Sequence, residues 1–542
     1  MPRSKEKTTT LDELYGYLKR FALCDSLFVV GAVNATMRYG FNELETGETP
    51  EGTVRWIDDH GTEPINRIDL TIQLTRLARF LLLSRANDHK AVILDTGTPE
   101  IQQAIYLTAS LHDKDVEGEV KDLRDLARIF GRISQWQFPL QGNRLHIIGR
   151  GNLLFIEVPQ KIKPKYDFEE KTNEYFGMDV FQYIATGLAL WITSTGILKH
   201  NMTVEVEALE GVVTKESVGR FVELSTGTPE DYRRLVRGDN WKIPNKRRDI
   251  YGLDPFVQMP AIKIKHTMKL EAGSYVVPQP HYLLQKATMG LFYLLADKER
   301  AVAEALGQGG RNDFRESFGD VYRAYVGKHL SLAQTPTVFV DLDNDLSVGG
   351  KKPDFALIED DTCILFEVKT ALLTVDSRTI FDEAAARAEI QRGAFKKALE
   401  QLCDFEEAVK NKHVEDIRFK HVRHVVKVMV GFEDIYFANA FLLPMLREIH
   451  GDTVSNLQIA TITDIETAGT LLAYGDAVGA LMLEKIASPE LAEWSLGAFL
   501  NHKKKNKSAE NPLLRKGYED FIQKVTGKDY DFIVGRTNNT AL

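Results

Sequence analysis

Two carboxylates and an amine fall close together in residues 351–370, KKPDFALIEDDTCILFEVKT, and are the side chains best placed to do chemistry. Asp354 opens an apolar run that continues through Phe355, Ala356, Leu357 and Ile358. Glu359, Asp360 and Asp361 read as an acidic turn. Residues 362–369 form a second run that ends in Glu367, Val368 and Lys369. Both runs have the length and residue types of short strands. Side chains alternate along a strand, so Glu367 and Lys369 share a face with Cys363 and Leu365. Ile364, Phe366 and Val368 take the other face. The second strand is therefore apolar on both sides until its last residues. Charge at the end of a buried strand is costly unless something pairs with it, and a metal ion is the usual partner.

Pro353, Asp354, Glu367, Val368 and Lys369 together resemble the signature of the PD-(D/E)xK nuclease superfamily, which has the restriction-endonuclease-like fold. The resemblance implies that Asp354, Glu367 and the Val368 carbonyl bind Mg²⁺ or Mn²⁺, and that Lys369 is the catalytic amine. Carboxylates suit a hard cation that keeps several waters, and such an ion polarises a phosphate and activates water. A nearby lysine offsets charge that develops on phosphorus. The bland reading is a surface hairpin whose Glu and Lys make a solvated pair.

The elements that must position these residues are expected in the order α-β-β-β-α-β. Residues 313–330 form a helix with Phe314, Phe318, Val321 and Tyr325 on one face. Glu316 and Asp320 fall opposite and are read as solvent-facing, although the superfamily often carries an acid on this helix. A strand over 337–342 precedes the hairpin. A single long helix is expected over 379–410, with Ala384, Ala388, Gln391, Phe395, Leu399 and Leu402 as its inward stripe. By the resemblance, Gln391 joins the catalytic set, and Arg387 and Arg392 beside it meet phosphate. A valine-rich strand over 421–432, a helix over 437–450, a strand over 457–462 and a helix capped by Thr463 complete this unit.

The expected class is α/β, in several domains. Residues 1–165 are read as a mixed α/β domain, with strands at 28–30, 91–94, 145–148 and 153–158. The last two are expected to pair across a turn at Gly149, Arg150 and Gly151. Residues 166–307 are read as largely helical, with a long helix over 282–296 and a basic loop carrying Lys246, Arg247 and Arg248 as a nucleic-acid contact. Residues 159–165 are read as a linker, and the run Gly307, Gln308, Gly309 and Gly310 as a hinge. The string TGTPE at 96–100 recurs at 226–230, which is read as shared helix-capping chemistry. The nuclease unit spans 308–500, and 501–542 is a basic tail.

The 542 residues are 44% hydrophobic and 27% charged, with a net charge of −9. That excludes a generally basic nucleic-acid coat, while leaving room for a local positive groove. Three widely spaced cysteines give no zinc or disulfide framework, which fits a reducing cytoplasm. The N-terminus lacks a signal-peptide core, and no membrane span is expected. The resulting expectation is a Mg²⁺-dependent endonuclease acting on DNA in bacterial restriction or phage defence. It would work as a homo-oligomer, with any nucleotide-driven regulation coming from a partner protein. The alternative is a non-catalytic nucleic-acid-binding or regulatory protein that keeps the nuclease fold.

Overall fold

A computed structural model describes residues 9–37, 64–86, 90, 92–111, 125, 129–134, 140, 143–199, 211–264, 273–307, 313–346, 351–374, 377–378, 382–506 and 508–527. The first helices are Leu11–Leu18, Leu23–Met37, Pro64–Leu83 and Pro99–Ala109. Thr10 starts the first with a capping box to Glu13. Both TGTPE strings do open helices, and Thr228 makes a full capping box with Asp231.

Among the described residues of the first 165, the expected strands are not found. Phe28, Val29 and Val30 lie inside the Leu23–Met37 helix. That helix is buried almost all round, so it shows no amphipathic period to set it apart from a strand. Val92 and Leu94 run extended without a strand, held to Ala22 and Ser26, and Ala91 lies outside the described residues. Residues 144–162 are continuously helical, with a π-turn at Leu153–Glu157 between Arg144–Asn152 and Val158–Ile162. Gly149 serves a close helix crossing there, since a Cβ would lie 2.1 Å from the Leu514 carbonyl oxygen. Among the described residues up to 165, the β pairing is an isolated bridge between Thr9 and Leu111.

Four short strands follow, in the region expected to be mostly helical: β1 (Ile197–Lys199), β2 (Thr226–Gly227), β3 (Ala261–Lys263) and β4 (Ser274–Val276). They form one sheet in the order β1-β4-β3-β2. The Val180–Thr193 helix is buried over most of its length. The expected helix over 282–296 is broken at Thr288 into His281–Ala287 and Met289–Ala305.

The second sheet holds β5 (Val338–Asp341), β6 (Phe355–Glu359), β7 (Thr362–Lys369), β8 (His424–Gly431) and β9 (Leu457–Ala460), in that order. β5, β6 and β7 are antiparallel, and β7, β8 and β9 are parallel. The Asp313–Leu330 helix precedes it, and Glu383–Ile390 and Gly393–Lys410 lie between β7 and β8. The turn between β6 and β7 is tighter than expected. Asp360 takes φ 53°, while Glu359 belongs to β6 and is buried, accepting from the Thr337 hydroxyl and the Ala480 amide. β8 begins at His424, leaving His421 outside it. The helix after β9 is capped by Thr461, with Asp464 reaching back to its amide, and Thr463 is already inside it.

One face of this sheet, through Ile364, Phe366 and Val368, joins an apolar cluster that runs from Leu145 to Val525. The other, through Cys363 and Leu365, packs with Phe395, Leu402 and Phe441. The large cluster crosses every expected domain boundary. Phe155 meets Phe318 at 5.9 Å, Phe292 meets Phe432 at 5.0 Å, and Phe181 meets Phe521 at 5.1 Å. Gln308, Gly309 and Gly310 of the expected hinge lie outside the described residues. The expected basic tail contains a helix, Pro512–Thr526, that buries Leu514, Phe521, Ile522 and Val525. Residues 528–542 are outside the described set. Among the described residues, no single helix is long and apolar enough to cross a membrane. The bent pair Leu11–Leu18 and Leu23–Met37 passes by length and composition together, with most of its residues buried.

Candidate active site

The C-terminal end of β7 carries the site. The register sets Phe355 opposite Phe366 and Ala356 opposite Leu365, which brings Asp354 across from Glu367. The Asp354 amide still donates to the Phe366 carbonyl, at 3.0 Å. Beyond that the ladder stops, and the Val368 amide donates to Asp354 Oδ2 at 2.8 Å. A side chain thus takes the place of the next backbone acceptor and fixes the carboxylate's direction. The alternation expected for β7 is observed, because the Lys369 amine meets Glu367 Oε1 on one face.

Glu367 is 1% exposed, and its Oε2 has no hydrogen-bond partner among the described residues. Such a group is expensive to bury. Burial, and next the Asp354 carboxylate, push the Glu367 carboxyl up to about 7, against the pull of Lys369. Burial also pushes Asp354 up, opposed by the Val368 amide and Arg323. Two carboxylates that resist ionising together, one with a bare oxygen, are what a divalent cation would relieve. Among the described residues, no three His, Cys, Asp or Glu side chains converge as a ligand set. Magnesium needs only one or two carboxylates beside water and phosphate oxygens, so Asp354, Glu367 and the Val368 carbonyl fit it.

The pair opens into a cleft of about 540 Å³, lined also by Arg315, Glu316, Asp320, Arg323, Asp343, Lys351, Lys352 and Gln401. Glu316 and Asp320 are exposed, as expected, and line the rim of this cleft. Arg323 completes the same helix stripe at intervals of four and three. Its guanidinium donates from Nε to Asp354 Oδ1 at 2.7 Å and from Nη2 to Asp341 Oδ1 at 2.8 Å. Sequence reasoning did not identify it, although the 316, 320, 323 stripe was available as a signal.

Gln391 is not in the site. The long helix expected around it breaks at Gln391 and Arg392, where Gly393 takes φ 68°, so Gln391 is an exposed C-cap. Arg387 pairs with Glu383 and Glu448, away from the cleft. Arg392 lines a larger cavity of about 1530 Å³, which shares Arg315 and Thr370 with the cleft. Lys246 and Arg247 lie near Asp12 and Asp382, at 3.9 and 3.8 Å, and all three basic residues, Arg248 included, belong to the short helix Lys246–Tyr251 where a loop was expected. None of the three lines the cleft. Arg237, a short way before them in the chain, is taken up in a buried ion pair with Asp249. Comparison of the chain with protein-family models, with curated proteins and with solved structures returns no match.

Proposed function

We propose that this chain is a divalent-metal-dependent nuclease that hydrolyses phosphodiester bonds in DNA, with its core built on the restriction-endonuclease-like plan. The observation that carries the reading is the buried Oε2 of Glu367, unpartnered among the described residues, on a carboxylate that lines the cleft beside Asp354, with Lys369 on the same strand face. The order of the Asp313–Leu330 helix, β5, β6, β7, the Glu383–Ile390 and Gly393–Lys410 helices and β8 agrees with that plan.

A bound Mg²⁺ or Mn²⁺ would supply Lewis-acid charge to the scissile phosphate and lower the pKa of water. Asp354, oriented by the Val368 amide, and Glu367 would hold that ion with the Val368 carbonyl. Lys369 stands beside Glu367, where it orients the attacking water and offsets charge on the phosphate oxygens. The water oxygen forms the new bond to phosphorus, and the bond to the 3′ oxygen breaks. That oxygen takes up a proton, leaving 5′-phosphate and 3′-hydroxyl ends. Biologically, the reading places the chain in restriction or phage defence as an oligomer, by analogy of architecture.

The test is plasmid cleavage with Mg²⁺, Mn²⁺, Ca²⁺ or a chelator. The proposal expects nicking or linearisation with the first two, and 5′-phosphate ends that a ligase reseals. Calcium is expected to support binding alone. Cleavage that proceeds equally in chelator would overturn it.

A further inference from the structure

Arg323 sits at the centre of the ionic network around the cleft. Its Nε donates to Asp354 Oδ1 at 2.7 Å, and its Nη2 lies 2.8 Å from Asp341 and 3.2 Å from Asp343. The guanidinium also stacks 4.6 Å from the centre of the Phe355 ring. One cation therefore has three carboxylate anchors, and only one of them belongs to the proposed metal pair. We propose that Arg323 is the resident counter-ion of Asp354, a positioning residue that competes with the divalent ion for this carboxylate. Asp341 and Asp343 form the second berth that keeps Arg323 ordered when it yields. The inference rests on the nuclease reading above.

The physical case begins with desolvated charge. Asp354 is largely buried, and a buried carboxylate without a cation is costly. Arg323 meets that need while no metal is bound, as Lys369 does for Glu367. A guanidinium and a dication on the same carboxylate repel each other, and in a cleft that repulsion is only partly screened. Lys369 is required for the chemistry and cannot leave. Arg323 can, because Asp341 and Asp343 retain it and Phe355 supports its plane.

The two halves of the network make opposite predictions. Arg323→Gln removes the competitor and should tighten Mn²⁺ binding about tenfold or more. Asp341→Asn removes part of the second berth, drives Arg323 harder onto Asp354, and should weaken Mn²⁺ binding. This second substitution keeps the capping interaction that Asp341 makes with the Asn344 amide. Calorimetric titration of the full chain with Mn²⁺ reads both without reference to cleavage. Equal or weaker binding by Arg323→Gln overturns the inference, and where wild type still binds and cleaves, the nuclease reading stands. Should Arg323→Gln fail to fold, Asp341→Asn decides alone, and unchanged or tighter binding there overturns the inference. A wild-type chain that neither binds Mn²⁺ nor cleaves DNA removes both.

Discussion

Arg150 reaches Glu466 through two parallel bonds, Nε to Oε1 at 2.6 Å and Nη2 to Oε2 at 2.7 Å. The Tyr325 hydroxyl donates to the same Oε1. The pair ties the Arg144–Asn152 helix to the Ile462–Ala473 helix behind the second sheet, and to the Asp313–Leu330 helix that supplies Arg323. Burial pushes the Glu466 carboxyl up, but Arg150 overrides it and leaves the group below its ordinary value.

Breaking this pair leaves a buried charge without its partner. Glu466→Gln is expected to cost about 3–5 kcal/mol, read as a lower urea midpoint with an unchanged slope. Because the folded carboxyl titrates below the unfolded one, its contribution is present above the unfolded value. It is lost as pH falls through the folded one. The difference between wild type and Glu466→Gln should therefore shrink toward low pH. A constant difference would contradict this assignment.

His329 makes a second acid-sensitive element. It is fully buried, and burial pushes its imidazole down to about 4. The folded protein must keep it neutral while the unfolded chain charges it near 6.5. Stability from this group is present above about 6.5 and lost as pH falls toward 4, by about 3 kcal/mol in total. His329→Asn should flatten that part of the stability profile relative to wild type, as measured by urea unfolding at pH 7, 6 and 5. Parallel profiles would argue against a buried neutral histidine.

The C-terminal helix is structural. Gly517 and Gly149 lie against each other, with a Cβ on Gly517 only 2.9 Å from the Gly149 carbonyl oxygen. Gly149→Ala should overpack this crossing and cost about 1–3 kcal/mol. It should also expose the Pro512–Thr526 helix to limited proteolysis. An unchanged melting point and unchanged digestion would show that the crossing is looser than described.

Gln391 lies outside the candidate site. Being exposed at a helix break, it touches neither Asp354 nor Glu367. Gln391→Ala is expected to leave plasmid cleavage within about twofold of wild type, the ordinary range for surface substitutions. A large loss would place it back among the catalytic groups.

What could be read from sequence follows the range of the interactions involved. Asp354, Glu367 and Lys369 belong to one hairpin, and strand alternation with a short turn determines their register, so their grouping was legible. The five strands of the second sheet were legible as short apolar, β-branched runs, each a local feature of the chain. Gln391 was misplaced because its inward stripe assumed an unbroken helix, and Gly393 breaks it. Gly149 and Gly151 were read as a turn, whereas here the missing side chains permit a helix crossing with residues far along the chain. Arg323 was missed because its partners, Asp341 and Asp354, come from other elements; the 316, 320, 323 stripe marks its face of the helix but does not point to them. Phe155, Phe292 and Phe318 share one apolar cluster across the expected boundaries at 165 and 307, a contact between distant segments that no local pattern carries.

The central claim is that Asp354, Glu367 and Lys369 perform hydrolysis together with a divalent ion. The most direct measurement is the rate of plasmid cleavage at fixed Mg²⁺ by wild type, Asp354→Ala and Lys369→Ala, each verified as folded. The account predicts cleavage by wild type and a loss of about a hundredfold or more in each variant. Equal rates in all three proteins would contradict it.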